Sequence, residues 1–204
     1  NNIEQFIHIS ALGIDNAKES NYARSKLEGE KEIKANFEKT TILRPSIVYS
    51  VDDNFTTNFM TLLSLLPFFP LYYNGKTKFT PIHCSELTEI ILQIIDKNIC
   101  SEIIECVGPK EITFKEILQK LLKLIDKKRL LIPMPLIVAK IMAKFFELFQ
   151  KPLFTVDQLK LLKYDNILSG NYKSNSDIGY NCKLKFEEEV EKYCYMWKEA
   201  GQYS

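Results

Sequence analysis

The sequence is poor in histidine, has no closely spaced pair of cysteines, and carries no excess charge of either sign. Its 204 residues include five cysteines and two histidines, and the formal net charge is +1. Zinc sites usually pair their ligands at short spacing, so we expect no metal centre. An odd number of dispersed cysteines also argues against a disulfide framework and is typical of a reducing, cytosolic-type compartment.

Basic residues do not cluster along the chain. The 27 lysines and arginines are interleaved with 26 aspartates and glutamates. A nucleic-acid-binding protein concentrates its positive charge on one face, so we expect no nucleic acid partner.

Long apolar runs are missing as well. No stretch approaches the ~20 apolar residues of a membrane-spanning helix, and the first residues lack the basic region and apolar run of a signal peptide. The most apolar stretch, residues 60–73, is interrupted by Ser64, Pro67 and Pro70. We therefore expect a soluble protein, or at most one attached to a surface.

What the sequence does contain is an alternation of short apolar runs and helical periodicity. Residues 6–10 are typical of a buried strand, and Ser20 can cap a helix over 21–37. A second strand follows over 40–43, and Pro45 is expected to stop it. A strand, a long helix and a second strand form the crossover unit of a parallel sheet, so the sequence predicts an α/β fold.

Beyond residue 50 the helical pattern dominates. A loop is predicted over 67–81, with a turn at Asn74-Gly75, and one more strand over 103–107. Further helices are predicted over 54–66, from Ser85, from Thr113, and over 136–149, 155–162 and 186–199.

Tyr22 and Lys26 lie four residues apart, so they share one face of the predicted helix. Ser10 ends the strand before this helix, at the carboxyl edge of the sheet, where parallel sheets place their active sites. A tyrosine can act as general acid or base when a neighbouring cation lowers its pKa from about 10. The three residues have the types and spacing of a hydride-transfer site, although a Tyr–Lys pair by itself also occurs on many surface helices.

Three segments extend this pattern: Ile9-Ser10-Ala11-Leu12, Tyr22-x-x-x-Lys26-x-x-Gly29-Glu30 and Leu43-Arg44-Pro45-Ser46-x-Val48-Tyr49. They resemble the second half of short-chain dehydrogenase/reductase proteins of the extended or atypical kind, the NAD-dependent epimerase/dehydratase group. Residues 81–87 are similar to a further motif of that superfamily, with Glu86 where aspartate is usual.

The resemblance implies a domain organisation. Residues 1–110 would be the C-terminal part of a Rossmann-type, NAD(P)-binding parallel sheet, with a substrate-side loop at 50–80. Residues 111–204 would form a helix-rich C-terminal lobe.

It also implies roles for single residues. Tyr22 would be the catalytic-type acid or base, Lys26 would hydrogen-bond the nicotinamide ribose and lower the pKa of Tyr22, and Ser10 would orient a substrate carbonyl. The cofactor would be NADP or NAD, and the residues lying against its nicotinamide would be Pro45, Ser46 and Val48.

The C-terminal part of the sequence gives a more specific resemblance. Residues 157–169, 177–180 and 200–203 resemble the tail of the nucleotide-binding accessory subunit of respiratory complex I, the NADH dehydrogenase of the respiratory chain, and of its alphaproteobacterial relatives. In that subunit, bound NADPH is regarded as structural. The resemblance therefore implies a structural or assembly role, with other complex I subunits as partners. The location would be the bacterial cytoplasm or the matrix side, peripheral to the inner membrane.

Two other interpretations stay open. An active oxidoreductase or epimerase could use Ser10, Tyr22 and Lys26 on a sugar-nucleotide or lipid-like carbonyl. A degenerate fragment that acts only as a protein-interaction module would bind no nucleotide.

The glycine fingerprint of the superfamily, Gly-x-x-Gly-x-x-Gly, is not in this sequence. In the superfamily it cradles the cofactor pyrophosphate at a helix N-terminus. We therefore expect a truncated gene product or a partial sequence rather than a new minimal fold. If residue 1 is the true start, roughly the first four strands of the doubly wound sheet are absent and a parallel edge is left open. The seven glycines lie too far apart to form the fingerprint, at positions 13, 29, 75, 108, 170, 179 and 201.

Residues 136–149 combine an apolar stripe with a polar opposite face. The pattern predicts either an interfacial helix that meets a membrane surface or a partner subunit, or a helix packed on its own core. The stripe consists of Ile137, Val138, Ile141, Met142, Phe145, Phe146 and Phe149, and the polar face of Lys140, Lys144, Glu147 and Gln150.

Overall fold

The computed structural model describes residues 3–146 and 155–203. Strands and helices alternate through this part of the chain. The strands are β1 (Phe6–Ile9), β2 (Thr40–Pro45), β3 (Val48–Tyr49), β4 (Phe68–Leu71), β5 (Lys78–Phe79), β6 (Ile82–His83), β7 (Ile103–Cys106), β8 (Ile112–Thr113), β9 (Leu130–Pro133) and β10 (Lys173–Ser174). The helices are α1 (Asn21–Asn36), α2 (Thr56–Leu65), α3 (Cys84–Asp96), α4 (Phe114–Leu124), α5 (Leu136–Phe146), α6 (Val156–Leu161) and α7 (Phe186–Glu191).

A four-stranded parallel sheet in the order β1-β2-β7-β10 carries the fold. Leu43 of β2 lies between Ile9 of β1 and Ile104 of β7 in the register of this sheet. The remaining strands form three two-stranded pairs, β3 with β6, β4 with β9 and β5 with β8. The predicted α/β class with a parallel sheet is confirmed.

The crossover from β1 to β2 passes through α1, as predicted. Ser20 caps the helix, and its hydroxyl accepts a hydrogen bond from the amide of Ala23 at 3.3 Å. Ala23 and Glu30 are the buried residues of α1. The cap and the long helix return the chain parallel to β1, so both strands end at the same edge of the sheet.

β2 runs through Pro45, whereas the sequence predicted that this proline would stop the strand. Pro45 pairs in register with Cys106 of β7. Its carbonyl accepts a hydrogen bond from the amide of Leu12, so this residue faces the side of β1. The N–H that proline lacks would point towards the segment beyond the end of β1 at Ile9, so no hydrogen bond between the two named strands is lost.

The largest apolar cluster joins α2, α4 and α7. α4 begins as predicted at Thr113, which forms a capping box with Glu116. A second cluster packs α3 against the sheet. The first cluster takes buried residues from both 1–110 and 111–204, and β10 pairs with β7, so the division near residue 110 stays a prediction. The buried members of the cluster that joins α2, α4 and α7 include Met60, Leu63, Ile117, Leu118, Leu121, Val190 and Trp197.

Other boundaries differ from the predictions. The expected loop over 67–81 contains β4, β5 and a 3-10 turn at Tyr72–Gly75. α3 begins at Cys84, because the ring of His83 accepts a hydrogen bond from the Ser85 amide and acts as the cap. The last helix ends at Glu191, and a 3-10 turn follows at Cys194–Trp197. All five cysteines are free.

α5 leaves much of its predicted apolar stripe uncovered. Ile137 and Ile141 are 75% and 64% exposed, whereas Ala139 is buried. The side chains of Met142, Phe145 and Phe146, and all of residues 147–150, lie outside the part that can be described. Within the described ranges, no helix is both long enough and apolar enough to cross a bilayer.

Candidate functional site

A cavity of about 540 Å³ opens at the carboxyl ends of β1 and β2. Its wall is formed by the segments that follow these strands, by the first turns of α1, by α2 and by α6. All six residues that the sequence singled out line this one cavity, and they are Ser10, Tyr22, Lys26, Pro45, Ser46 and Val48.

Ser10 is held by the sheet through its backbone, and its hydroxyl faces the cavity region without a hydrogen-bond partner among the described residues. Its backbone amide donates to the carbonyl of Leu43 at 2.7 Å, which continues the ladder between β1 and β2. The hydroxyl oxygen is buried and has no hydrogen-bond partner among the described residues. A buried polar atom without a partner is costly, so this hydroxyl is suited to a carbonyl brought in by a ligand.

Tyr22 and Lys26 lie on the same face of α1, as predicted from their spacing. The ammonium of Lys26 donates to the carbonyl of Ile9 at 3.3 Å and lies 5.9 Å from the centre of the Tyr22 ring. Partial burial raises the pKa of Tyr22 above its usual value. The direction is opposite to the lowering that the resemblance implied, because desolvation of the phenol dominates.

The hydroxyl of Ser46 joins the cavity wall to the tail. It donates to the side-chain oxygen of Asn166 at 2.6 Å and accepts from the amide of Thr80 at 3.2 Å. Asn166 in turn donates to the carbonyl of Leu12 at 2.7 Å. Ser46 therefore positions the wall through bonds within the chain, and the sequence had not identified Asn166 as a site residue.

Asp157 of α6 is a second contributor that the sequence missed. Its carboxylate accepts from the amides of Asn21 and Tyr22 at 2.8 and 3.0 Å, and from the hydroxyl of Ser20 at 2.8 Å. Burial alone would raise the pKa of Asp157, but these hydrogen bonds and one from Lys160 lower it below its usual value. The C-terminal part of the chain thus places a carboxylate at the positive, N-terminal end of α1.

We expect Asp157→Ala to lower the free energy of unfolding by about 1 kcal/mol at pH 7. The pKa of Asp157 is depressed in the folded state, so its contribution is fully present above the unfolded value of about 3.9 and is lost as pH falls through the folded value. Urea unfolding from pH 7 to pH 2.5 should show the gap between wild type and variant narrowing below about pH 4. Exposed Asp52→Ala is the control, with an effect under about 0.5 kcal/mol, and a gap that widens towards low pH would contradict the assignment.

Apolar side chains form most of the remaining wall. They come from the two loops after β1 and β2, from α2 and from α6. Those that face the cavity include Ile14, Ile47, Phe55, Phe59, Leu62, Phe79, Leu161 and Leu162.

Comparison with known proteins assigns a family. Residues 16–145, well over half of the chain, match the family described as RmlD substrate binding domain. The chain belongs to this family. The match to the RmlD substrate binding domain contains every predicted site residue except Ser10, which lies just before it.

Curated relatives of this RmlD-family chain are subunits of complex I. The 40 kDa subunit of mitochondrial NADH-ubiquinone oxidoreductase from Neurospora crassa is 26% identical over 87% of the chain and 47% of that protein. Subunit 9 of the NADH dehydrogenase 1 alpha subcomplex is 31% identical in Dictyostelium discoideum, over 59% of the chain and 34% of that protein. The mouse subunit is 25% identical over 96% of the chain and 53% of that protein. The chain thus spans about half the length, or less, of these relatives.

Solved structures show the same Rossmann-type fold. UDP-glucuronic acid 4-epimerase from Bacillus cereus, in complex with UDP-glucuronic acid and NAD, superposes with a TM-score of 0.63 at 16% identity, over 95% of this chain and 62% of that one. RMD from Pseudomonas aeruginosa, complexed with NADPH, superposes with a TM-score of 0.61 at 9% identity, over 95% and 65% of the two chains. The predicted Rossmann-type sheet is confirmed.

The residues present fit one end of a dinucleotide. The unpartnered Ser10 hydroxyl, the Tyr22 phenol and the Lys26 ammonium all line the cavity, and they offer the hydrogen-bonding groups that suit an amide and a ribose. The glycines that would cradle the pyrophosphate are not in this sequence. In residues 3–146 and 155–203, no cluster of three or more His, Cys, Asp or Glu side chains is placed to hold a metal ion.

Proposed function

We propose that this chain is the nicotinamide-side part of an NAD(P)-binding, dehydrogenase-like protein that serves respiratory complex I as a structural or assembly component. The observation that carries the proposal is the meeting of Ser10, Tyr22 and Lys26 in one cavity, in a chain whose curated relatives are complex I subunits. The expected partners are other complex I subunits.

Within the proposed site each residue has a separate task. Lys26 would hold the ribose hydroxyls with a charged donor, and the hydroxyl of Ser10 would donate to a carbonyl of the nicotinamide or of a second ligand. Pro45 and Val48 would offer apolar surface to the ring. When bound, the nicotinamide supplies the capacity to accept or give a hydride.

A structural role is supported by the curated relatives, which are subunits of complex I. The phenol of Tyr22 is protonated at neutral pH, as tyrosines ordinarily are, and it can donate a hydrogen bond to a bound ligand. Tight binding in such a site stabilises a fold through the ligand alone.

The alternative is an active oxidoreductase or epimerase that uses the same three residues. The unpartnered hydroxyl of Ser10 favours it, since a substrate carbonyl would satisfy that group. Loss of carbonyl turnover in Tyr22→Phe would support the alternative. Co-purification with complex I subunits that is unchanged in Tyr22→Phe would support the structural role.

The proposed location is the matrix side or the bacterial cytoplasm, peripheral to the inner membrane. The uncovered apolar residues Ile137 and Ile141 of α5 support a surface contact there, and Lys140 and Lys144 of the same helix are exposed.

Calorimetry with NADPH and NADH tests the cofactor proposal. We expect tight binding by a version extended upstream to a glycine fingerprint, and much weaker binding by residues 1–204 alone, because the pyrophosphate would lack its cradle. If neither form binds either nucleotide, the cofactor proposal is wrong and an interaction module remains.

Lys26→Met is expected to weaken NADPH binding by the extended form by about 10- to 100-fold, the usual cost of losing a charged hydrogen bond. The matched control is Lys34→Met, which removes an exposed lysine from the last turn of the same helix, away from the cavity. Calorimetry should give the control an unchanged affinity. Equal affinities for wild type and Lys26→Met would remove Lys26 from the site.

A further inference from the structure

We infer that the substrate side of this cavity accepts an uncharged, largely apolar ligand with a carbonyl or hydroxyl group, and does not accept a nucleotide diphosphate sugar. This inference rests on the proposed function, because it assigns the nicotinamide to the Ser10–Tyr22–Lys26 end of the same cavity. It separates the two substrate classes that the sequence left open.

The first support is the charge of the wall. Among the described residues that line the cavity, Lys26 and Asp165 are the only charged ones, and no arginine or histidine is present. The Asp165 carboxylate accepts from the amide of Lys78 at 2.8 Å. A diphosphate carries two negative charges and is usually held by arginine, lysine or exposed amides. In this wall its only cation would be Lys26, which the nicotinamide ribose also uses in the proposed site, and Asp165 would repel it.

The second support is that the N-termini of α1 and α2, which lie beside the cavity, are already bonded to carboxylates of this chain. Free amides at such ends are the usual binding site of phosphate. At α1 the carboxylate of Asp157 holds the amides of Asn21 and Tyr22. At α2 the carboxylate of Asp53 holds the amides of Phe55 and Thr56. At these two helix ends, an anionic ligand would find the backbone amides already bonded to a carboxylate.

The third support is the apolar lining of the region away from Ser10. α2 presents Phe55, Phe59 and Leu62 to the cavity, at positions that share one helix face. α6 and the residue after it add Leu161 and Leu162. Burying an uncharged chain against such a wall is favourable by about 25 cal/mol per Å² of apolar surface, whereas burying a charge there is costly.

Ligand-detected saturation-transfer NMR on the full chain, with and without NADPH, tests the inference with three probes. 2-Nonanone is uncharged, nonanoate has the same length and a carboxylate, and UDP-glucuronic acid carries the diphosphate. We expect 2-nonanone to bind at least tenfold more tightly than nonanoate. A tenfold ratio corresponds to about 1.4 kcal/mol, which is less than the usual cost of burying an unpaired carboxylate. UDP-glucuronic acid is expected to give no transfer signal.

A matched pair of variants on α2 locates the binding. Leu62 lines the cavity, whereas Leu65 is 70% exposed and does not. Leu62→Arg is expected to weaken 2-nonanone binding at least tenfold, and Leu65→Arg to leave it within twofold. If Leu62→Arg does not fold, as judged by circular dichroism, Leu62→Gln replaces it, and the order of the three wild-type probes needs no variant.

The outcomes separate this inference from the cofactor proposal. UDP-glucuronic acid binding as tightly as 2-nonanone overturns the inference, even where calorimetry shows NADPH bound. The expected probe order supports the inference even where neither the chain nor its extended form binds a nucleotide, a result that would contradict the cofactor proposal alone. Unchanged 2-nonanone affinity in Leu62→Arg also overturns it, because the ligand would then lie elsewhere.

Discussion

Replacing Arg44 by methionine is expected to lower the free energy of unfolding by about 3–5 kcal/mol. Arg44 is 3% exposed, and it donates from Nε and Nη2 to the two carboxylate oxygens of Glu30, at 2.8 and 2.7 Å. A third bond runs from Nη1 to Asp15 at 2.6 Å, and the guanidinium lies 4.6 Å from the centre of the Tyr172 ring. Without Arg44, the buried carboxylate of Glu30 would lose its ion-pair partner, and that unpaired charge causes most of the loss.

Two further variants separate the unpaired charge from the missing arginine. The double variant Arg44→Met with Glu30→Met removes both charges and is expected to recover most of the stability. Asp15→Asn should cost less than about 1 kcal/mol, because the Asp15 side chain is 42% exposed. Urea unfolding at pH 7 measures all three, and a double variant less stable than Arg44→Met alone would contradict the explanation.

The Arg44 network shows which part of this molecule a sequence can predict. Arg44 stood inside the motif that carried the family likeness, yet nothing in its neighbourhood indicated that it would be buried. Its partners lie 14 and 29 residues earlier in the chain, on α1 and in the loop before it. Only the parallel pairing of β1 with β2 brings them together, and that pairing is a property of the whole fold.

Features with a local cause were predictable. The Ser20 cap, the capping box at Thr113 and the shared face of Tyr22 and Lys26 all depend on residues within four positions of one another. Ser10 was also predictable, because the end of a parallel strand defines the active edge of the sheet.

Features that depend on distant segments were missed. Asp157 and Asn166 complete the site from more than a hundred residues away, and their only signal was the likeness of the tail. β10 has two residues and no pattern of its own, so only its pairing with β7 defines it. The direction of the Tyr22 pKa was missed for the same reason, since it depends on burial by the assembled cavity.

Gly108→Ala is expected to destabilise the protein by about 3 kcal/mol or more. Gly108 lies two residues after the end of β7, and its amide donates to the carbonyl of Thr80 at 3.0 Å. A Cβ at this position would lie 1.8 Å from the carbonyl oxygen of Pro81 and 2.8 Å from its carbonyl carbon. Both are backbone atoms, so the two segments would have to separate. The Thr80 amide that donates to Ser46 would move with them, and the cavity wall should lose its shape.

Gly29→Ala makes the opposite prediction with the same chemical change. Gly29 lies inside α1. Outside its chain neighbours and the backbone of the helix, an added Cβ would have only the Nε2 of His8 within 4 Å, at 3.9 Å. Alanine also loses less backbone freedom on folding than glycine, so we expect a gain of about 0.5–1 kcal/mol. Thermal unfolding of both variants beside wild type measures the two effects. A Gly108→Ala protein as stable as wild type would contradict the close approach of the β7 end to Pro81. It would also contradict the position of the cavity wall at Ser46, which depends on that approach.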